Sequence, residues 1–518
     1  MEDHEPKQLK KPVKLGLWLL GIALLAVVGL WLEHERAKAR LAAYKAQLVA
    51  KGEKLAIADH VPKMPPALSN AAPDFIAAAN RITDLKPEFQ PQRMRLVAPG
   101  RARVTWQQPE LPTDKDADLW PIVTAHVEDN RDRLAEMITT LERPEMVVNL
   151  DYSKGFTLLL PHVQKVRQSA NLLGMAVIVD LHAGQTNSAF TNLLASVRLF
   201  QRNGEPILIS QLVRIACGSM AQQATWEGLQ HAGWTDAQLQ ELQQMWQATD
   251  LAAGWLGAMG MERAMGSYTF QQCRGNPSMM ANLGIGPSSS GGSFFDELFK
   301  DPAKAASQAG VFAFNFGWTL WLSYPDEQWM LEQHQVWREG FIRMTARQSV
   351  TDAEGWMKSQ RAKLVQPPRV QCFLSSLITP AMESMHKKLA NAEIVRRLTY
   401  TAIALHRHRL KHGKFPESLG ALVPEFLAEV PRDFMDGQPL RYQLQPDGQF
   451  RLWSVGDDFK DDGGDPTPVG VASSSSDPYS WLKGRDWVWP QAASEAEVAV
   501  YHAELAAKRA RATPKPPP

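Results

Sequence analysis

The sequence predicts a mainly α-helical protein: an N-terminal transmembrane helix, an irregular array of helical hairpins and a small C-terminal α+β module. Three observations carry this reading. Residues 15–32 form an uncharged apolar run, LGLWLLGIALLAVVGLWL. Residues 161–265 repeat a helical periodicity broken by turn signals. Beyond residue 381 a long amphipathic helix pattern gives way to period-two alternation around a Pro-Asp-Gly turn.

The apolar run has 18 residues and no charge. As a helix it spans about 27 Å, close to the ~30 Å hydrocarbon core of a bilayer. Trp18 and Trp31 stand near its ends, where indole rings favour the interface. A buried core helix is rarely apolar on every face over about five turns. A cleaved signal peptide has a shorter apolar region, about 7–15 residues, and a small-residue cleavage site. Ala37-Lys38-Ala39 lies among charges and imitates that site poorly. A permanent single-pass anchor is therefore expected. Lys7, Lys10, Lys11 and Lys14 precede it and Arg36, Lys38, Arg40 and Lys45 follow, so charge asymmetry alone does not orient it. Long domains translocate largely regardless of charge. The expectation is a short cytoplasmic tail (1–14), the anchor (15–32) in the inner membrane and an extracytoplasmic, periplasmic body. Residues 33–60 begin with EHERAKARLAAYKAQLVAK, rich in helix formers, and are expected to continue as a stalk ended by VPKMPP at 61–66.

Lys+Arg 56 against Asp+Glu 55 gives a net charge of +1, so no basic excess points to nucleic acid and no acidic excess to a basic partner. The 17 tryptophans read as packing residues. Cys217, Cys273 and Cys372 form no C-x-x-C motif, and their odd number leaves at least one thiol unpaired. One disulfide is open in an oxidising compartment, without a way to choose the pair.

A mainly helical domain is expected over 61–380. Helical periodicity appears at 120–142, 171–180 and 188–201, with a turn at His182-Ala183-Gly184, and again from Pro206 toward His231. Thr235-Asp236-Ala237-Gln238 reads as a capping box opening the next helix. No second copy recurs at a fixed period, so the array is irregular rather than a solenoid. Residues 275–293 read as a flexible loop. Residues 311–323 are apolar but too short to span a membrane, and read as a buried helix or a partner surface. Helix is expected again at 327–347.

In the C-terminal module (381–490), a helix over 381–411 carries Ile394, Leu398, Ala402 and Leu405 on one face and stops at His412-Gly413. Leu440, Tyr442 and Leu444 alternate, as do Phe450, Leu452 and Ser454, across the turn Pro446-Asp447-Gly448: a β-hairpin, with 486–489 as a third strand. The order of parts is specific. Gly413-Lys414-Phe415-Pro416 follows the long helix, then Val430-Pro431-Arg432-Asp433, then the segment from Asp436 to Tyr442, then Ser454-Val455-Gly456 before an acidic Gly-rich loop. Over 80 to 100 residues this block resembles the C-terminal domain of the G-type (major) pseudopilins of type II secretion. The chain as a whole is similar to large membrane-anchored proteins of planctomycete and verrucomicrobial type. The pseudopilin processing site is missing: Val13-Lys14 precedes the anchor, and Gly155-Phe156-Thr157-Leu158 has no membrane helix after it. A permanent tether, not a polymerising pilin, is implied. Residues 491–518 read as a tail, a short helix followed by disorder.

Asp457, Asp458, Asp461, Asp462 and Asp465 fall within nine residues, interleaved with Gly463 and Gly464. Calcium takes six to eight oxygens, and such a loop can supply them. The resemblance implies calcium here, with Asp458 and Asp465 as the best matches to the family's loop aspartates. The other reading is a solvated acidic turn. His408 and His412 share a helical face but lack the Glu of a zinc-protease motif and read as a solvated basic helix end. Glu262-Arg263 reads as a buried ion pair or as surface. No nucleophile elbow, phosphate loop or dinucleotide fingerprint occurs. The expected function is a membrane-anchored envelope scaffold that binds a protein partner, with a link to a secretion or pilus-like system. The alternative is an envelope hydrolase with a site in the helical domain.

Overall fold

The computed structural model describes residues 11–91, 94–113, 117–202, 204–276, 315–378, 380–468, 479 and 482–512. Helix α1 (Lys11–Ala50) is continuous over 40 residues, about 60 Å. None of the described side chains from Trp18 to Leu32 is buried, and this stretch belongs to the single described helix long and apolar enough to cross a membrane. The second half of α1 behaves differently. Ala37, Leu41 and Leu48 are buried against the body. The helix ends ten residues before the proline cluster because Gly52 adopts φ +84° and the Glu53 N–H caps the Leu48 carbonyl. The segment expected as a stalk is thus a docked helix and a return loop.

The central layer is an antiparallel set: α5 (Pro161–His182), α6 (Thr186–Arg202) and α7 (Leu208–Leu229). Gly184, at φ +71°, makes the α5–α6 turn. Buried Asp180 locks it, accepting hydrogen bonds from Ser188 (2.6 Å), Asn192 (2.7 Å) and Arg131 (2.8 Å). On one side lie α2 (Ala72–Asn80), α3 (Trp120–Asp129) and α4 (Arg131–Leu141), the last two filling the periodic stretch at 120–142. Next comes α8 (Asp236–Ala248), opened by the predicted box, in which the Thr235 hydroxyl accepts the Gln238 N–H at 3.3 Å and Gln238 accepts the Thr235 N–H at 3.0 Å. Then follow α9 (Leu251–Gly275), α10 (Ser323–Arg347), α11 (Val350–Arg361) and α12 (Phe373–Ile378).

Helix α13 (Pro380–His412) packs on α7 and α8, with Ile394, Leu398, Ala402 and Leu405 fully buried. The predicted hairpin follows as β3 (Arg441–Leu444) and β4 (Phe450–Ser454), antiparallel, with Tyr442 opposite Leu452; β4 then pairs with β5 (Trp487–Val488). The largest apolar cluster runs without a break from α6–α9 through α13 to this sheet. The C-terminal module therefore shares its core with the array. For the same reason the first part of the expected solvated end, His406 to His408, is not solvated, whereas Leu410 to His412 are exposed as expected. The chain folds back over that first part, so that His406 packs edge-on to Phe415 and Phe450, Arg407 pairs with Asp236 at 2.7 Å, and all of His406, Arg407 and His408 are buried.

A second sheet had no sequence signal, because its strands are two or three residues long. β1 (Leu96–Ala98) and β2 (Arg101–Ala102) pair antiparallel, and β6 (Gln491–Ala492) joins β2 in parallel. It fixes the start of α14 (Glu495–Ala512) against the residues near 100. The three cysteines are buried and none is in a disulfide. The tail 1–10, most of the predicted loop 275–293, residues 311–314 and the final 513–518 lie outside the described residues.

Candidate functional site

The acidic loop leaves β4 through Gly456, held at φ +69° against Trp487. Asp486 organises it, a residue that no local pattern in the sequence marks. Its carboxylate is fully buried and accepts the backbone N–H groups of Gly464 (2.7 Å), Asp465 (3.1 Å) and Asp462 (3.4 Å). Burial pushes the Asp486 carboxyl above its ordinary value, with these donors pulling the other way. The predicted ligands spread around this hub. Asp457 faces Lys483 at 3.6 Å, Asp458 accepts the Lys460 N–H, and Asp465 accepts the Thr467 N–H and faces Arg485 at 3.6 Å. The Asp462 side chain is exposed. Asp461 accepts from Trp453 Nε1 at 3.0 Å and lies 3.4 Å from Arg441. Arg441 also meets Asp436 (2.5 Å) and buried Asp433 (3.0 Å), so an arginine supplies the countercharge to three carboxylates. Among the described residues no three His, Cys, Asp or Glu side chains are grouped to hold an ion.

The larger opening lies elsewhere. A cleft of about 600 Å³ runs between the chain leaving α2, the side of α3, and the faces of α5 and α7. Asn130, fully buried at the α3–α4 junction, clamps one wall by donating to Thr83 Oγ1 (3.0 Å) and the His126 carbonyl (2.8 Å). Gln168 on α5 donates to Asp84 at 2.9 Å and closes the far side. Ile82, Leu172, Met175, Val213 and Met220 make an apolar floor. Asp84, His126 and Arg167 stand along the walls. Burial holds the His126 imidazole below its ordinary pKa, so it is neutral near pH 7. An apolar floor with a few placed polar groups is the usual character of a ligand site. The cleft offers no activated nucleophile beneath it: the Cys217 thiol is fully buried and pushed up to about 12 by that burial.

Titratable residues do converge in the interior. His162 Nε2 lies 2.9 Å from Glu205, and Ser210 donates to the same carboxylate at 2.7 Å. The carboxylate sits between the histidine and the serine, so the imidazole does not reach the hydroxyl and these three residues do not form a Ser-His-carboxylate triad. All three residues are buried, and they pin the α6–α7 connection to α5. Glu262 and Arg263 do not pair with each other. Arg263 meets Glu53 at 2.7 Å, whereas Glu262 accepts the Leu208 N–H at 3.4 Å and is pushed up to about 7 by burial.

No family model, no curated protein and no solved structure matches this chain.

Proposed function

We propose that the protein is a membrane-tethered binding protein whose helical body is seated on the bilayer face and presents its cleft and C-terminal module to a partner. The observation that carries the proposal is the seam between α1 and the segment leading into α10. His34 contacts the Leu320 carbonyl, Lys45 meets the fully buried Glu327, and Lys51 lies 4.0 Å from Glu339. The contacts advance together, so the two helices run parallel away from the end of the apolar stretch at Leu32. Phe316 and Trp321 are exposed at the level of His34, where aromatic side chains favour the membrane interface. The apolar segment, expected as a buried helix or a partner surface, buries Trp318 and turns Phe316 and Trp321 toward lipid as its first partner, and the body does not swing on a loose stalk.

The orientation, with residues 1–14 cytoplasmic and the body extracytoplasmic in the inner membrane, belongs to the same proposal, as does a pseudopilin-like docking role for the module. The order of long helix, hairpin and third strand supports that role. Membrane fractionation of the full chain tests the tether: the protein should resist alkaline extraction and its body should be digested only from the outer side. Release by alkali would refute it. Calcium at the acidic loop is tested on the full chain, where a saturable rise in unfolding temperature lost in Asp465→Asn supports the site and no shift removes it.

A further inference from the structure

We propose that a second pocket, closed on one side by α14, binds a small oxyanion, a carboxylate or a phosphate group, between Arg95, Arg103 and His502. The pocket encloses about 350 Å³ and is floored by Leu111, Leu119 and Leu505.

Arg103 follows β2 directly, and its backbone N–H donates to the Arg95 carbonyl at 2.9 Å, so the two arginines leave neighbouring strands. Arg103 is only 4% exposed. Its Nε is buried without a hydrogen-bond partner, and Nη1 meets only the His502 ring at 3.3 Å. Buried Glu227, whose charge reaches Arg103, accepts the Thr105 N–H at 3.1 Å instead, and among the described residues no carboxylate pairs with this guanidinium. Arg95 is half-buried, with its guanidinium 4.8 Å from the centre of the Tyr501 ring. Glu88, on the rim, is exposed.

A buried cation with no directly paired carboxylate is costly to keep, and the ordinary remedy is a partner charge in contact with it. Burial, followed by the neighbouring Arg95 charge, lowers the Arg103 pKa, and the charges of Tyr501 and the more distant Glu227 offset this only in part. The guanidinium fork matches a carboxylate or phosphate edge, and Arg95 and His502 would complete a three-sided cradle. The apolar floor leaves room for a short carbon body behind the charged head.

The test is calorimetric and thermal titration of the full chain in detergent with inorganic phosphate, acetate or chloride at equal ionic strength. Saturable binding of phosphate or acetate that chloride does not reproduce supports the proposal, and whichever anion binds names the head group. Arg103→Met should weaken that binding at least about tenfold. It should also leave the anion-free protein as stable as before or more so, because it removes an uncompensated charge. Arg95→Gln, at a half-buried position, should weaken binding without a folding defect. No saturable effect of either oxyanion, or an equal effect of chloride, overturns the proposal. So does an Arg95→Gln protein that binds as the wild type does.

Discussion

Glu53→Gln changes a charge and keeps a shape, which makes it a direct probe of how the return loop after α1 is fixed. Glu53 receives Arg263 at 2.7 Å, Arg338 at 2.9 Å and Gln335 at 3.2 Å. Burial alone would raise the Glu53 carboxyl; the Arg263 hydrogen bond and charge outweigh it, and the carboxyl is held below the ordinary glutamate value. Arg263 is 1% exposed, and without Glu53 it keeps only neutral partners, Gln335 at 2.9 Å and the Lys54 carbonyl at 3.0 Å. Breaking a buried pair costs about 3–5 kcal/mol, and the partial exposure of Arg338 favours the lower end, about 3 kcal/mol. The exposed Arg36–Glu33 pair, at 2.6 Å, is the control; Glu33→Gln should cost under about 1 kcal/mol. Thermal unfolding of the full chain in one detergent, with hydrogen exchange read over residues 34–50 and 261–270, separates the two. Glu53→Gln should lower the unfolding temperature and deprotect both segments, whereas Glu33→Gln should do neither. Because the folded carboxyl titrates below the unfolded one, the deficit is full above the unfolded value near ~4.3 and fades as pH falls through the lower folded value. If the two variants unfold alike and exchange is unchanged, the Arg263–Glu53 pair does not hold the loop.

Two further predictions rest on buried titratable groups. His334 and His406 are fully buried and burial lowers each to about 3. The unfolded chain binds protons that the folded one refuses, so stability should fall as pH drops below ~6.5, by at most about 2 kcal/mol per histidine at pH 5. His334→Leu with His406→Phe should flatten that acid limb in a plot of unfolding temperature against pH. Glu262 has the opposite sign. Raised to about 7, its ionised form costs stability above that pH, and the cost is relieved as pH falls toward the ordinary value. Glu262→Gln should therefore stabilise the protein by about 1–3 kcal/mol at pH 8 and by nothing below pH ~4.5; an equal effect at both pH values would contradict the assignment.

Much of the helical array was legible because its signals are local. The Thr235 capping box, the Gly184 turn, the α13 stripe and the Pro446-Asp447-Gly448 hairpin each need only a few neighbouring residues, and each stands where the sequence places it. The docking of α1 was not legible. Ala37, Leu41 and Leu48 make a thin stripe among alanines and charges, and the partners of the two leucines, from Phe270 to Leu374, are far away in the sequence. Asp433 and Asp486 look like ordinary loop aspartates in the sequence; their roles come from backbone N–H groups that only the folded chain brings near. His406 and His408 near the end of α13 were misread as solvated for the same reason, since the covering residues follow a reversal of the chain; His412 is exposed as expected. Neither pocket leaves a motif. The cleft draws its walls from four separated segments, and the Arg103 pocket needs the last helix to return to the first sheet.

The most direct measurement places an environment-sensitive fluorophore at Trp321→Cys and, as a control, at Val365→Cys, which is 90% exposed on the body. The native thiols are buried and will not compete for label. With the full chain in lipid nanodiscs, the label at 321 should show blue-shifted emission and be quenched by a quencher carried on the lipid, while the label at 365 should report water. Aqueous emission and no lipid quenching at both sites would contradict a body seated on the membrane.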